Sequence, residues 1–317
     1  MTTGPEIILP TDENHWLSLR AQDITSTEVA ALFGCSPYLT KFELWHRKKD
    51  RTVITLEPSE RMRWGTRLQD SIAQGIAEDQ GWRVRRMAEY IRNSELRIGA
   101  SFDFGILETV DFPGINFKDE QPIGLLEIKN VDSLAFRDGW IIDGDTLEAP
   151  PHIELQVQHQ LLVSGLSTAY IGALIGGNRV VLIKRESDSN VHYAIKNAVA
   201  EFWKSIEENN PPPPIFPQDS QAVSKLYGYA EPGKVLHADQ AIDSLCADYK
   251  TYANAEKESR EKKESVRAQI LMKIGDAEKV TGANFTISAG VIGPAQIPAH
   301  ERKGYRNFKL NWKKEKQ

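Results

Sequence analysis

The sequence predicts an α/β protein, with a central mixed sheet flanked by helices and a helical C-terminal extension. Three observations carry that expectation. Segments with apolar residues at i and i+4 alternate with short runs rich in Ile, Val, Leu and aromatics. Two such runs, Thr168–Ile175 and Arg179–Arg185, flank Gly176-Gly177-Asn178, which reads as a hairpin turn. Four consecutive prolines, Pro211–Pro214, then separate this alternating part from one long polar helix.

Residues 1–15, rich in Thr, Pro and Asp, read as a loose leader. Thr25–Phe33 reads as a short helix capped by Thr25 or Ser26, with Glu28 near a capping-box position. Phe42–Lys49 and Arg61–Gln80 are expected helices, the second stopped at Gly81. Arg83–Tyr90, Leu96–Leu107 and Pro122–Asn130 are expected strands. Between the last two, the polar Thr109–Gln121 predicts a protruding loop. His152–Ser164 and Ala194–Asn209 read as helices, the latter halted by the prolines. The domain boundary is expected near Tyr229, giving a main domain over 1–229 and an extension over 230–317. In the extension Asp239–Ile274 is a long helix with a wholly polar middle. Ile242, Leu245, Tyr249 and Tyr252 mark one face early, and Val266, Ile270 and Ile274 mark it late. Phe285–Ser288 and Arg306–Trp312 suggest a small hairpin closed by the basic run Lys313–Lys316.

The 317 residues carry a formal net charge of −5, which excludes a protein coated in positive potential but not one with a local basic surface. Two cysteines far apart exclude a disulfide framework and a zinc knuckle. The N-terminus has no basic region followed by an apolar run, and no stretch approaches a membrane span, so a cytoplasmic protein with no membrane partner is expected. No phosphate-binding GxxxxGK[ST] loop occurs.

The chemistry centres on Gly124-Leu-Leu-Glu127-Ile-Lys129. Side chains alternate along a strand, so Glu127 and Lys129 share one face while Ile128 points into the other. A carboxylate and an ammonium on an otherwise apolar strand are costly to bury without a task. Upstream, Asp103 ends a strand-like run and offers a second carboxylate. Two carboxylates and a lysine suit metal-assisted phosphodiester hydrolysis: the acids hold a hard ion such as Mg²⁺, and the lysine orients or deprotonates water and offsets charge. On Arg67–Ile76 the stripe Leu68, Ile72 and Ile76 includes Gln69, with Asp70 at its edge. Gln158 falls on the apolar side of its helix, near Leu155 and Leu162. Arg61, Arg63 and Arg67, with Arg83, Arg85 and Arg86, offer cations for phosphate contacts.

In order, Trp16-Leu-Ser-Leu-Arg20, Ile24-Thr-Ser-Thr-Glu28, Gly34-Cys-Ser-Pro37-Tyr38, Phe42-Glu-Leu-Trp45, Arg63-Trp64-Gly65, Gly99-Ala-Ser-Phe-Asp103, Leu126-Glu127-Ile-Lys129 and Gln156-Val-Gln158-His159 resemble the YqaJ-like viral recombinase (phage lambda exonuclease) family. The resemblance covers roughly residues 16–225. It implies a PD-(D/E)XK restriction-endonuclease-like core. It further implies that Asp103, Glu127 and the Ile128 carbonyl are metal ligands, Lys129 is the catalytic lysine, and Gln158 lines the site. Arg20 and Thr27 match positions that hold a 5′-phosphate, with Trp16 in the same DNA-binding stretch. The cofactor implied is Mg²⁺, with Mn²⁺ as a substitute.

Two departures stand out: Gln69 occupies the family's glutamate position among the metal-binding residues, and Phe102-Asp103-Phe104 replaces Pro-Asp-Gly. The implied activity is 5′→3′ digestion of double-stranded DNA ends, leaving 3′ overhangs for an annealing protein of the RecT or Red-beta kind. A phage or prophage origin and a homo-oligomer, such as a trimeric ring, come with the resemblance. Competing readings are a RecB- or Cas4-like nuclease, an endonuclease, and a DNA-binding scaffold whose site is weakened by Gln69.

Overall fold

The computed structural model describes residues 4–52, 57–107, 121–143 and 146–291. The loop expected over Thr109–Gln121, apart from its last residue, lies outside these, as do Arg306–Trp312 and the basic run after it. The chain divides into two compact units, Met1–Ala222 and Val223–Gln317. The first opens with β1 (Glu6–Ile8), α1 (Glu13–Gln22), β2 (Ile24–Thr25), α2 (Val29–Leu32), α3 (Lys41–Lys49) and α4 (Glu60–Gln80). Four strands follow: β3 (Arg83–Arg86), β4 (Tyr90–Asn93), β5 (Ile98–Ser101) and β6 (Phe104–Leu107). Then come β7 (Gly124–Val131), α5 (Ser133–Gly139), β8 (Ile141–Asp143), β9 (Thr146–Glu148) and α6 (Pro151–Ser164). The unit closes with β10 (Thr168–Ile175), β11 (Arg179–Glu186) and α7 (Ser189–Glu207). A short α8 (Ser220–Leu226) spans the division.

The central sheet is mixed, in the order β11-β10-β7-β6-β3, with β7 and β10 parallel and the other pairs antiparallel. A second sheet runs β1-β4-β5-β2. Helices cover both faces of the central sheet. On one, Ile72, Ala73 and Ile76 of α4 pack against Phe104, Ile106, Leu126 and Ile128. On the other, Val157 and Leu161 of α6 and Ile195, Val199 and Phe202 of α7 pack with Leu125, Ala173 and Ile183. Each Val, Leu, Ile and Phe among them contributes about 1.5–3 kcal/mol on burial. Gly172, opposite Ile128 on the neighbouring strand, permits α4 to come this close; a Cβ there would meet Ile76 Cδ1 at 2.4 Å.

Helix ends follow their capping chemistry. Ser59 accepts from Met62 N at the start of α4, and Gly81, at φ 66°, ends it in the left-handed conformation glycine favours.

Several expectations need correction. The described part of the expected leader, residues 4–15, is not loose: Glu6–Ile8 pairs with β4, and Asp12 caps α1 by accepting from His15 N at 2.8 Å. The helix expected over Thr25–Phe33 shrinks to Val29–Leu32, because Ile24 and Thr25 pair with β5 instead. Arg83–Tyr90 and Leu96–Leu107 are not continuous strands. Each breaks, at Met87–Glu89 and at Phe102–Asp103, where a bent hairpin passes between the two sheets. Local propensity cannot reveal such a break, since both halves of each run remain good strand sequence.

The second unit holds α9 (Gln240–Ile274), capped by Asp239 through Ile242 N at 2.8 Å, and a hairpin of β12 (Lys279–Thr281) and β13 (Thr286–Ser288). Thr286–Ser288 therefore pairs with Lys279–Thr281. No residue of α9 is buried.

Candidate active site

The site forms where one strand loses its neighbour. β7 pairs with β10 up to Val131, but its pairing with β6 stops at Leu126↔Phe104. The chain arrives at Phe104 from the other sheet, so β6 supplies no partner beyond that point. Asp103 fills the gap, its Oδ2 accepting from Ile128 N at 2.9 Å. The N–H and C=O of one strand residue point the same way, so the Ile128 carbonyl opens onto this gap too. From α4, Gln69 Nε2 donates to Asp103 Oδ1 at 3.0 Å. Arg86 joins them, donating to Gln69 Oε1 at 3.3 Å and to Asp70 Oδ1 at 2.7 Å. Asp70 is thus exposed and engaged by Arg86, and does not stand in for an acid at Gln69.

Glu127 and Lys129 project from the α6 face of β7, alternating with Leu126 and Ile128 on the α4 face. Glu127 is 5% exposed, and its carboxylate is fully engaged. Oε1 accepts from the Lys129 ammonium and from Gln156 Nε2 at 2.6 Å, while Oε2 accepts from Gln160 Nε2 at 2.8 Å. Gln156 Oε1 also accepts from Lys129 Nζ at 3.1 Å.

Burial, and next the Glu127 charge, push the Asp103 carboxyl up to about 7. Burial works to lower the Lys129 pKa, but Glu127 and then Asp103 outweigh it and hold the ammonium above its usual range. A carboxylate so disfavoured in its ionised form marks a place where a cation would relieve repulsion. The available ligands are hard oxygens: two carboxylates and the Ile128 carbonyl, to which Gln69 would add its amide oxygen on turning its amide over, since its nitrogen now faces Asp103. That set fits Mg²⁺, which keeps several waters and needs only one or two carboxylates. Among the described residues no group of three His, Cys, Asp or Glu is placed to hold a metal.

Trp16, Arg20 and Thr27 come together beside this centre. The Arg20 guanidinium donates to Thr27 Oγ1 at 3.2 Å and lies 4.6 Å from the Trp16 ring centroid. Trp16 Nε1 donates to Ser101 Oγ at 2.9 Å, and Ser101 O accepts from Gln160, the residue that also holds Glu127. Beneath them lies a buried charge network. Lys48 Nζ, 2.7 Å from Glu28, donates to the carbonyls of Arg20 and Asp23 at 2.7 and 2.6 Å. Burial works to raise the Glu28 pKa, but Lys48 and Arg20 hold it below its usual range. Tyr90 and Arg92 in turn bind the Asp23 carboxylate at 3.0 and 2.7 Å. Gly99 permits this, because a Cβ there would meet the Tyr90 hydroxyl at 2.1 Å.

Three expected site residues are not brought to the acids. Arg63 donates to Pro58 O, and Arg67 lies over the Trp64 ring, both exposed. At 100° per residue they sit ~120° and ~160° around α4 from Gln69. Gln158 is the clearest correction: it is buried, but its amide donates to Glu186 O at 2.8 Å and accepts from Asp188 N at 3.0 Å. It braces the β11–α7 turn rather than lining the site. Residues two apart on a helix diverge by ~200°, so Gln156 and Gln160, not Gln158, face Glu127.

Residues 15–167 match the YqaJ-like viral recombinase domain. This part of the chain is similar to the YqaJ-like family. A YqaJ protein of Bacillus subtilis (strain 168) is 26% identical over 269 residues, 84% of this chain and 79% of that protein. An alkaline exonuclease from Laribacter hongkongensis superposes with a TM-score of 0.46 at 17% identity, over 67% of this chain and 99% of that one. A phage related exonuclease from Haemophilus somnus 129PT gives 0.41 at 11% identity, over 59% and 94%.

The match ends just past α6, so it includes Asp103, Glu127, Lys129, Gln156 and Gln160. The last two were missed by sequence reasoning as ligand-holding groups. A signal was available: their four-residue spacing places both on one helix face.

Proposed function

We propose that this chain is a metal-dependent deoxyribonuclease, acting 5′→3′ on double-stranded DNA ends to leave 3′ overhangs. One observation carries the reading: Asp103 meets the strand that carries Glu127 and Lys129 at the point where β7 loses its strand partner. The match of residues 15–167 to a viral recombinase domain supports DNA as the substrate. Asp103, Glu127, the Ile128 carbonyl and the Gln69 amide oxygen would hold Mg²⁺, or Mn²⁺ in its place. When bound, the ion activates water and neutralises charge developing at phosphorus.

The chain's own residues do the rest. Lys129, kept as an ammonium by Glu127 and Asp103, offsets negative charge on the phosphate as the bond to the leaving oxygen breaks. Gln156 fixes Lys129 against Glu127, and Gln160 fixes the other Glu127 oxygen. Arg20 and Thr27 grip the terminal 5′-phosphate, with Trp16 packing the guanidinium. Arg63 and Arg67, on the exposed flank of α4, contact backbone phosphates further along the duplex. Residues 1–229 carry this chemistry. Residues 230–317 serve assembly into a homo-oligomeric ring or recruitment of a RecT-like annealing protein.

The test is digestion of linear duplex with Mg²⁺, comparing 5′-phosphorylated ends, 5′-hydroxyl ends and closed circles, beside Glu127→Ala. Loss of one strand from phosphorylated linear DNA, abolished by the substitution, is the expected result. Cutting of circles would replace this reading with an endonuclease, and inactivity with both Mg²⁺ and Mn²⁺ would leave a DNA-binding scaffold.

A further inference from the structure

The face of α6 that holds Glu127 continues beyond Gln156. His152 lies four residues earlier, and four-residue spacing stacks side chains on one face of a helix. His152, Gln156 and Gln160 therefore form a row. At one end Gln160 reaches Ser101, the partner of Trp16; in the middle Gln156 holds Glu127 and Lys129. At the other end stands Tyr38. Its ring meets the His152 imidazole edge-on, with centroids 5.9 Å apart and planes at 88°. The loop before it is pinned, since Tyr38 N and Leu39 N both donate to Ser36 Oγ, at 3.3 and 3.2 Å.

Tyr38 is nonetheless 82% exposed. The ring is braced by one perpendicular contact and otherwise open to solvent, at the end of the row away from Gln160. Burial, and then the Lys129 charge, keep His152 below the usual imidazole range. An exposed single aromatic is ordinary by itself. An aromatic at the end of a row that holds a buried carboxylate and a lysine has a specific neighbour to serve. Stacking needs only a π-face, which every base offers, so it suits an enzyme that must accept any sequence.

We propose that Tyr38, braced by His152, is a stacking platform for a nucleobase of the strand whose phosphate is held at Glu127 and Lys129. This rests on the nuclease reading of the same site and assigns it a base contact as well as phosphate contacts.

The test uses the full chain with Mg²⁺ and 5′-phosphorylated linear duplex, either intact or with an abasic nucleotide at each of the first three positions of the degraded strand. Because the side chain is exposed, Tyr38→Ala is expected to fold. It should raise KM about 10-fold, in the range found for losing one stacked base, with kcat changed less than about threefold. Tyr38→Phe and Tyr38→Trp should restore KM. One abasic position should raise the wild-type KM by a similar factor and leave that of Tyr38→Ala unmoved. A Tyr38→Ala protein with wild-type KM overturns the platform alone. So does Tyr38→Phe as impaired as Tyr38→Ala, which would point to the hydroxyl. Abasic substitution that impairs both proteins equally also overturns it. A wild-type protein that cuts no DNA overturns the nuclease reading and the platform together.

Discussion

Gln69 stands between an acid and a guanidinium: its Nε2 donates to Asp103 at 3.0 Å while its Oε1 accepts from Arg86 at 3.3 Å. A carboxylate at this position would keep the second contact and lose the first. The amide thus calms the site in the absence of metal, at the cost of one negative charge that metal would favour.

Gln69→Glu should therefore bind Mg²⁺ more tightly and be less stable without it. Losing the bond to Asp103 and adding repulsion should cost about 1–3 kcal/mol in EDTA. Thermal melts across a Mg²⁺ titration would read both effects. A variant with unchanged melting in EDTA and an unchanged Mg²⁺ midpoint would remove Gln69 from the ligand set.

Gln156→Ala and Gln158→Ala should separate function from stability. Gln156 touches Lys129 and Glu127, so its loss should lower kcat by about 10²-fold, within the range for one pre-organising group. Gln158 braces Glu186 and Asp188, so its loss should cost about 1–3 kcal/mol of stability and spare kcat. Matched urea curves and initial rates would decide it, and the opposite pattern would restore Gln158 to the site.

Lys48 is 5% exposed and paired with Glu28 at 2.7 Å. Lys48→Met leaves that half-buried carboxylate without its nearest cation, at a cost of up to about 3 kcal/mol, the low end for a buried pair. Adding Glu28→Gln should recover much of it. A double variant no more stable than the single one would show that Lys48 acts through its carbonyl contacts instead.

His159 and Asp103 give opposite slopes of stability with pH. Burial pushes His159 down to about 4, whereas an unfolded imidazole titrates near ~6.5. Between those values the unfolded chain binds a proton that the folded chain refuses. Stability is therefore full above pH ~6.5 and falls by roughly 3 kcal/mol as the pH drops to ~4. Asp103, pushed up to about 7, does the reverse: the folded chain takes its proton first, and folding gains as the pH falls below about 7. In an Asp103→Asn background, urea midpoints should drop with acid from pH 6.5 to 4, and adding His159→Gln should flatten that drop. A slope unchanged by His159→Gln would assign it elsewhere.

Some of this was legible in the sequence and some was not. The shared face of Glu127 and Lys129, with Ile128 opposed, follows from the two-residue period of a strand, and Gln69 lies inside its helix stripe as the 3.6-residue period requires. The hairpin at Gly176-Gly177 and the end of α4 at Gly81 follow from backbone chemistry at single residues. The breaks at Met87–Glu89 and Phe102–Asp103, the strand at Glu6–Ile8 and the choice of Gln156 over Gln158 do not. Each depends on partners far away in the chain: Arg92 for Glu6, Ile128 for Asp103, Glu127 for Gln156. By itself, then, the sequence determined which residues can carry the chemistry and which face of its own element each occupies, because helix and strand periods are local properties of the backbone. Only the tertiary structure decided that Asp103 meets Ile128 and Glu127, because that meeting exists where β6 leaves β7 unpaired, and strand pairing is settled by the packing of the whole unit.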